Sequence, residues 1–254
     1  MSNIATATPL IVETSRGPCI AGRRTTVYVI LDHLNNGCDR EFIKEHLFLS
    51  DEQLDAAIEY FALHREEVER DYADILRRSE EIRQRYERLY HERSPCDPHL
   101  PVEERVARMR RDLASKQKPV SVRNDQILLD HDIEGYVVFL EAGLQETGWD
   151  QYLTIEFLRL RDLGLSDEHS DQEIWRRVQR DRLLLITHNR NRDDETSLQA
   201  TIEKETGPDS LPVLTIPSVE KLARADYRQQ AAHKLAEVVL YLENYLGVGR
   251  IYIP

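Results

Sequence analysis

Apolar and polar residues follow a different spacing in three successive parts of the chain. In residues 1–64, helical spacing predicts three short helices, carried by Val27 to Leu34, Arg40 to His46 and Leu54 to Phe61. Ser50, with Gln53 three residues later, predicts a capping box at the start of the third helix. The segment Gly17 to Val27 predicts a short hairpin or turn before the first helix. These elements indicate a small trihelical module.

Charged residues of both signs dominate residues 65–122. Their apolar side chains fall on a single stripe of a helix, formed by Val68, Tyr72, Ile75, Ile82, Tyr86 and Leu89. Pro95, Pro98 and Pro101 end this helix, and Val102 to Gln117 predicts a second one. The pattern predicts a long charged helical connector with one packed face. Its arginines would alternatively bind nucleic acid, an interpretation weakened by the acidic residues that alternate with them.

From residue 123 to 254, strand-like apolar runs alternate with helical spacing. Five strands are predicted, at Gln126 to Asp130, Tyr152 to Phe157, Arg182 to Thr187, Pro212 to Ile216 and Gly249 to Ile253. The helices between them are predicted at Val137 to Leu144, Ser170 to Gln179, Ser197 to Glu205 and Val219 to Leu246. This alternation indicates an α/β fold, with a mostly parallel sheet covered by helices on both faces.

The composition narrows the class of protein. The chain has 254 residues and a formal net charge of −12. This charge argues against nonspecific coating of nucleic acid, so any RNA or DNA contact requires a local basic strip. Three scattered cysteines, Cys19, Cys38 and Cys96, do not suit a disulfide framework or a zinc site. No signal-peptide pattern and no apolar run of ~18 residues is found. We therefore expect a soluble, cytoplasmic protein with no membrane partner.

Polar side chains gather where two of the predicted strands end. Asp130 ends the first strand, and the third strand runs into the polar segment Thr187 to Asp194. Sites in parallel sheets collect at the carboxyl ends of the strands, and Asp171 starts a helix between these two strands. Carboxylates meeting there would suit Mg²⁺, which prefers oxygen ligands and supports phosphodiester hydrolysis. Alternatively, Asp130 only caps the following turn, and Asp171 only complements its helix dipole.

Three segments resemble the PIN-like nuclease fold, in a small branch related to the VapC toxins. They are ILLDHDI (127–133), RDLGLSDEHSDQEIW (161–175) and RLLLITHNRNRDD (182–194). The resemblance covers about residues 125–195 in order and spacing. It implies a PIN-like sheet for residues 123–254 and metal-ligand roles for Asp130 and Asp171.

The sequence departs from the PIN-like pattern at two positions. The pattern has carboxylates where this sequence has Asn189 and Asn191. An amide offers a neutral carbonyl oxygen and no charge, so these changes would weaken the hold on Mg²⁺. Asp193 and Asp194 lie a few residues later and would compensate if they turned inward, as would Asp132. The alternative is an altered or inactive site.

A second resemblance covers the N-terminal module. The segment GPCIAGRRTTVYVILDHLNNGCDREFIKEHLFLSDEQLDAAIEYF, within about residues 16–62, resembles a small trihelical antitoxin-like family. That family implies a small all-α, winged-helix-like fold and an antitoxin role. The predicted organisation is therefore an antitoxin-like module (1–64), a charged helical connector (65–122) and a PIN-like α/β domain (123–254).

Together the resemblances imply a metal-dependent ribonuclease of the PIN-like toxin type with an antitoxin-like module in cis. The catalytic residues are expected to be Asp130, Asp171, Asp193 and Asp194. The ligands of Mg²⁺ or Mn²⁺ are expected to be Asp130, Asp171 and Asp193. The RNA substrate is expected to contact Thr187, His188, Asn189, Arg190 and Arg192. Intramolecular contact between the two modules is also expected, as is a homodimer.

Two other functions stay open from the sequence. A noncatalytic regulator or assembly protein would keep a degenerate PIN-like fold without its metal. A DNA-binding autoregulator would act through residues 16–62. Residues 1–64 hold five Lys and Arg against nine Asp and Glu, a net charge of −4. That charge disfavours DNA binding unless basic residues cluster, the candidates being Arg16, Arg23, Arg24 and Arg40.

Overall fold

A computed structural model describes residues 9–97, 100–115, 124–188 and 197–254. The chain begins with an antiparallel hairpin of β1 (Ile11–Thr14) and β2 (Gly17–Ile20). The turn predicted for Gly17 to Val27 is confirmed, since the Ile20 N–H donates to the Thr25 carbonyl oxygen at 3.0 Å and Cys19 pairs antiparallel with Thr26. The strand β1, which precedes this segment, was not predicted. The β-branched residues of β1 supply the other strand, which pairs Val12 with Cys19.

Three helices follow the hairpin, as the sequence predicts. They are α1 (Val27–Asn35), α2 (Arg40–Leu47) and α3 (Asp51–Leu63). The capping box is confirmed, since the Ser50 hydroxyl accepts from the Gln53 N–H and the Gln53 side chain accepts from the Ser50 N–H. We call residues 9–64 the N-terminal module.

The charged connector forms two helices, α4 (Arg65–Arg93) and α5 (Val102–Ser115). The prediction of one packed face on α4 is confirmed. Its buried side chains recur along one stripe, at Val68, Ile75, Tyr86 and Tyr90. The remainder of α4 is largely charged and exposed, with ion pairs one turn apart such as Arg65 with Glu69.

A five-stranded parallel sheet forms the C-terminal half. Its strands are β3 (Asn124–Leu129), β4 (Thr154–Arg159), β5 (Leu184–Thr187), β6 (Val213–Thr215) and β7 (Arg250–Tyr252). Their spatial order is β4-β3-β5-β6-β7, and every neighbouring pair is parallel. The crossover helices are α6 (Val137–Glu146), α7 (Asp171–Asp181), α8 (Leu198–Glu205) and α9 (Ala225–Leu240).

The last predicted helix is divided. Instead of one helix from Val219 to Leu246, a short 3₁₀ segment (Val219–Ala223) precedes α9 and another (Leu242–Tyr245) follows it. Arg224 adopts an extended backbone between the first two pieces and stops the helix there. The apolar spacing is retained through the interruption, which is why it is not visible in the sequence.

Alternate strand residues pack on opposite faces of the sheet. Ile127, Leu129 and Ile186 join a core shared with α6 and α9. Leu128 and Leu185 join a second core, shared with α7 and α8. This two-sided burial is the reason the strands are almost wholly apolar, and it confirms the predicted α/β architecture.

The N-terminal module packs directly on the sheet domain. Ile30 and Ile43 belong to the same hydrophobic core as Ile127. At Gly135 the two parts touch so closely that an added Cβ would lie 2.1 Å from the carbonyl oxygen of His46. Only glycine permits that approach. The module and the sheet domain therefore form one packed unit.

Candidate functional site

Asp130 stands at the carboxyl end of β3. Its N–H donates to the carbonyl oxygen of Ile186 at 2.9 Å, which extends the pairing of β3 with β5 by one residue. One carboxylate oxygen accepts from the His131 N–H at 2.9 Å, and the other accepts from the Thr187 hydroxyl at 2.9 Å. Strand pairing and these two hydrogen bonds fix the orientation of the carboxylate between β3 and β5. This is the edge where α/β sheets place their sites.

Asp171 is the first residue of α7, which is capped by the Ser170 hydroxyl. Its Oδ2 accepts from the Leu198 N–H at 3.1 Å, so the carboxylate links the start of α7 to the start of α8. Its Oδ1 turns toward the N-terminal module. The side chain is 6% exposed, and a carboxylate so deeply buried requires a cationic partner.

That partner is Arg24 of the N-terminal module. Its Nε lies 3.6 Å from Asp130 Oδ1, and its Nη2 donates to Asp171 Oδ1. Its Nη1 donates to the carbonyl oxygen of His169. Arg16 adds a second contact, with its Nη2 3.4 Å from Asp171 Oδ1. Arg24 is 4% exposed, so one buried guanidinium joins two carboxylates that lie far apart in the sequence.

The surroundings of Asp130 and Arg24 favour the charged form of each. Burial by itself raises the pKa of Asp130, but the Arg24 charge and the Thr187 hydrogen bond outweigh it and lower that pKa below its usual value. Burial likewise opposes the charge of Arg24, yet Asp130 and Asp171 together raise the pKa of Arg24. The three groups form a buried ionic network with two negative charges and one positive charge, which Arg16 supplements.

Asp132 lies beside this network in the opposite electrostatic condition. It is buried, and its Oδ1 has no hydrogen-bond partner in the part of the chain that the structure describes. Burial raises the pKa of Asp132, with His131 acting against the shift and the charge of Asp130 adding to it. The Asp130 and Asp132 carboxyls therefore differ in proton affinity although they lie two residues apart.

The arrangement suits a cation, and the cation in place is Arg24. Asp130 and Asp171 each place one carboxylate oxygen against the same guanidinium, and carboxylate oxygens are also the ligands that a hard divalent ion prefers. Within the described ranges, however, no group of three or more His, Cys, Asp and Glu side chains forms a metal-binding arrangement. A divalent ion would therefore need Arg24 to withdraw, together with further ligands such as water or residues outside those ranges.

The other predicted site residues divide into two groups. Thr187 is fully buried and supports Asp130. His188 is also buried, with Nδ1 2.9 Å from the carbonyl oxygen of Ile216 and Nε2 3.3 Å from Asp32 Oδ2 of α1. The remaining predicted residues, Asn189, Arg190, Asn191, Arg192, Asp193 and Asp194, lie outside the described residues.

The sequence did not identify the role of Arg24. From the sequence alone, Arg16, Arg23, Arg24 and Arg40 are candidates only for a DNA-binding cluster. In the structure, Arg40 pairs with Asp55 at 2.7 Å on an exposed surface, whereas Arg16 and Arg24 turn to Asp171. A contact across 147 residues leaves no local pattern. The sequence indicates only that acidic residues outnumber basic ones near the predicted strand ends, and buried acidic side chains need a basic partner.

Residues 14–61 match a family model described as Protein of unknown function (DUF433). The DUF433 segment contains Arg16 and Arg24 but neither Asp130 nor Asp171. No curated protein and no solved structure matches the chain. Among the described helices, none is long and apolar enough to cross a membrane.

Proposed function

We propose that this chain is a divalent-metal-dependent ribonuclease of the PIN-like toxin type, held closed in cis by its antitoxin-like N-terminal module. The observation that supports this proposal is the position of Arg24. It comes from the DUF433 segment and pairs with the two carboxylates, Asp130 and Asp171, that the PIN-like resemblance designates as metal ligands.

Competition between Arg24 and a divalent ion for the same carboxylates explains how the N-terminal module would inhibit the nuclease. A guanidinium and a divalent ion need the same carboxylate oxygens, so each excludes the other. Arg24 stays charged at any physiological pH and hydrogen bonds to Asp171 as well as to the carbonyl oxygen of His169. The module also shares the hydrophobic core of the sheet domain, so Arg24 is held at the carboxylates by packing as well as by its own contacts. Tethering alone would give the module an effective concentration on the order of mM.

The residues of the open site would have distinct roles. Asp130 and Asp171 would hold Mg²⁺ or Mn²⁺, with Asp193 or Asp194 as candidates for a further ligand. When bound, the ion would supply the positive charge that activates water and stabilises the leaving oxygen in phosphodiester hydrolysis. The Thr187 hydroxyl would keep the Asp130 carboxylate oriented, as it does in the closed arrangement.

RNA cleavage by matched variants tests this proposal. Wild type, Arg24→Met, Arg23→Met and the double variant Arg24→Met/Asp130→Ala would be incubated with single-stranded RNA and Mn²⁺ or Mg²⁺. We expect Arg24→Met to cleave at least ~10-fold faster than wild type, since it removes the competing cation. Arg23→Met should match wild type, and the double variant should be inactive. Equal cleavage with and without Asp130, or none by Arg24→Met, contradicts the proposal.

A second candidate function has its own supporting observation. Asp171 already uses one oxygen to accept from the Leu198 N–H, and the described residues offer only two convergent carboxylates beside Arg24. A noncatalytic regulator that keeps a degenerate PIN-like fold would use the Arg24 network purely to join its two parts. This version predicts that Arg24→Met binds no Mn²⁺ at millimolar concentration.

A further inference from the structure

A pocket of about 520 Å³ lies between α4 and the sheet, near the carboxyl ends of β5 and β6. Its polar and aromatic lining includes Asp74, Arg78, Ser79, Gln199, Arg250 and Tyr252. Neither Asp130 nor Asp171 is among the lining residues. The pocket is therefore separate from the carboxylate site, although His188 at its edge directly follows β5.

Arg250, the first residue of β7, is an unusual wall residue because most of its hydrogen-bonding capacity is unused. It is 3% exposed, and its Nη1 donates to the Thr215 hydroxyl at 3.1 Å. Its Nε and Nη2 are shielded from bulk water and have no hydrogen-bond partner among the described residues. These two nitrogens form one edge of the guanidinium, which is the edge that binds carboxylate or phosphate in a bidentate manner.

Arg250 also forms no ion pair with an acidic side chain among the described residues. No carboxylate in the described ranges lies within the 4.0 Å ion-pair distance of its guanidinium. Glu203 is near enough for the Arg250 charge to contribute to lowering the pKa of Glu203. However, Glu203 already accepts from Gln199 Nε2 at 2.9 Å and from Arg85 at 2.7 Å. An arginine cannot discharge itself by losing a proton, and an anion in the pocket would satisfy both its charge and its unused donors.

The rest of the pocket indicates what else such an anion would carry. Gln199 Oε1, which is buried, has no hydrogen-bond donor in the described part of the chain. Acidic side chains such as Asp74 lie on the α4 wall, while Ser79 and Arg78 offer donors there. Tyr252 adds an aromatic side chain on the sheet side. The pocket thus combines donors for a charged oxygen group with acceptors for hydroxyl or amino groups.

We propose that this pocket binds a nucleoside monophosphate, with the Nε and Nη2 edge of Arg250 on the phosphate. A phosphate monoester has enough oxygens to accept from the guanidinium and from hydroxyls such as that of Ser79. Its ribose hydroxyls and base amino or imino groups would donate hydrogen bonds to Gln199 Oε1 and to the Asp74 carboxylate. The volume lies within the range of small-molecule pockets. This inference goes beyond the proposed ribonuclease and does not depend on it.

Calorimetric titration of the full chain in metal-free buffer tests the ligand class. The probes are adenosine monophosphate, adenosine and inorganic phosphate. We expect the monophosphate to bind at least ~10-fold more tightly than inorganic phosphate, and adenosine to show no binding at the same concentrations. Equal affinity for the monophosphate and inorganic phosphate overturns the nucleoside part. No binding of the monophosphate at millimolar concentration, or equal binding of adenosine, overturns the proposal.

Variants then locate the ligand. Arg250→Lys keeps the charge but loses the planar edge, and should weaken monophosphate binding by at least ~10-fold. The matched control is Arg88→Lys, on the exposed face of α4 outside the pocket, which should bind as wild type does. Should Arg250→Lys not fold, Ser79→Asp places a repelling carboxylate on a half-buried helix position and should weaken binding similarly. Unchanged binding in both Arg250→Lys and Ser79→Asp contradicts the assignment. Asp130→Asn should bind normally, which separates this test from the ribonuclease proposal.

Discussion

Replacing Arg24 by methionine should destabilise the protein more than replacing any exposed arginine. The change removes a 4% exposed guanidinium from between Asp130 and Asp171, whose side chains are 16% and 6% exposed. Removing one partner of a buried ion pair costs about 3–5 kcal/mol, because the other charge is left uncompensated. Arg16 remains 3.4 Å from Asp171 and limits the damage. We therefore expect a loss near the lower end, about 3 kcal/mol.

Urea denaturation and thermal melting measure this loss. For a chain of this size, about 3 kcal/mol corresponds to a fall in Tm of roughly 6–12 °C. The matched control is Arg23→Met, because Arg23 is only half-buried and its Nη1 makes one long contact, 3.5 Å, to the carbonyl oxygen of Leu47. The control should lose no more than about 0.5 kcal/mol.

The pH dependence of the same loss checks its origin. The pKa of Asp130 is lowered in the folded protein, so its contribution to stability is present above the ordinary carboxyl pKa of about 4 and is lost as the pH falls through the folded value. The stability gap between wild type and Arg24→Met should therefore be full at neutral pH and shrink below about pH 4. If Arg24→Met is as stable as wild type at pH 7, or if the gap is independent of pH, the ionic network does not contribute the stability assigned to it.

Three further predictions concern the contact between the module and the sheet domain. Gly135→Ala should lower the free energy of unfolding by about 2–3 kcal/mol in urea denaturation, because the added Cβ would lie 2.1 Å from the His46 carbonyl oxygen. The control Gly207→Ala, where an added Cβ has no neighbour closer than 4.0 Å, should stay within about 0.5 kcal/mol of wild type. Burial lowers the pKa of His33 to about 4, so the free energy of unfolding of wild type should fall by roughly 3 kcal/mol as the pH falls from about 6.5 to 4. Urea denaturation across that range should show no such loss in His33→Gln, and an equal loss in both proteins would refute the prediction. Burial raises the pKa of Glu220. Glu220→Gln should therefore gain about 1 kcal/mol at pH 7 and nothing below about pH 4, where both side chains are neutral; a destabilised variant at pH 7 would contradict this.

The general architecture was accessible from the sequence because it follows from local patterns. Apolar runs alternating with helical spacing specify a parallel sheet with two covered faces, and the rule for strand ends then brings Asp130 toward Asp171. The capping box joins Ser50 to Gln53, three residues later, so these two residue types at this spacing are enough to predict it.

The remainder depends on contacts that have no local signature. The break at Arg224 does not disturb the apolar spacing, so the sequence predicts one helix where the structure has three pieces. The pairing of Arg24 with Asp171 depends on how the module docks, which is decided by the shared core and by the close approach at Gly135. The unsatisfied edge of Arg250 likewise emerges only when α4 is packed on β7.

Asp130 and Asp171 together hold the Arg24 cation of the N-terminal module, and the proposed function requires that a divalent ion can take its place. Calorimetric titration with Mn²⁺ of wild type, Arg24→Met and Arg24→Met/Asp130→Asn tests it most directly. We predict little binding by wild type, one site per chain at submillimolar concentration for Arg24→Met, and no such site when Asp130 is also replaced. Absence of Mn²⁺ binding by a folded Arg24→Met, or equal binding by wild type and Arg24→Met, would contradict the claim.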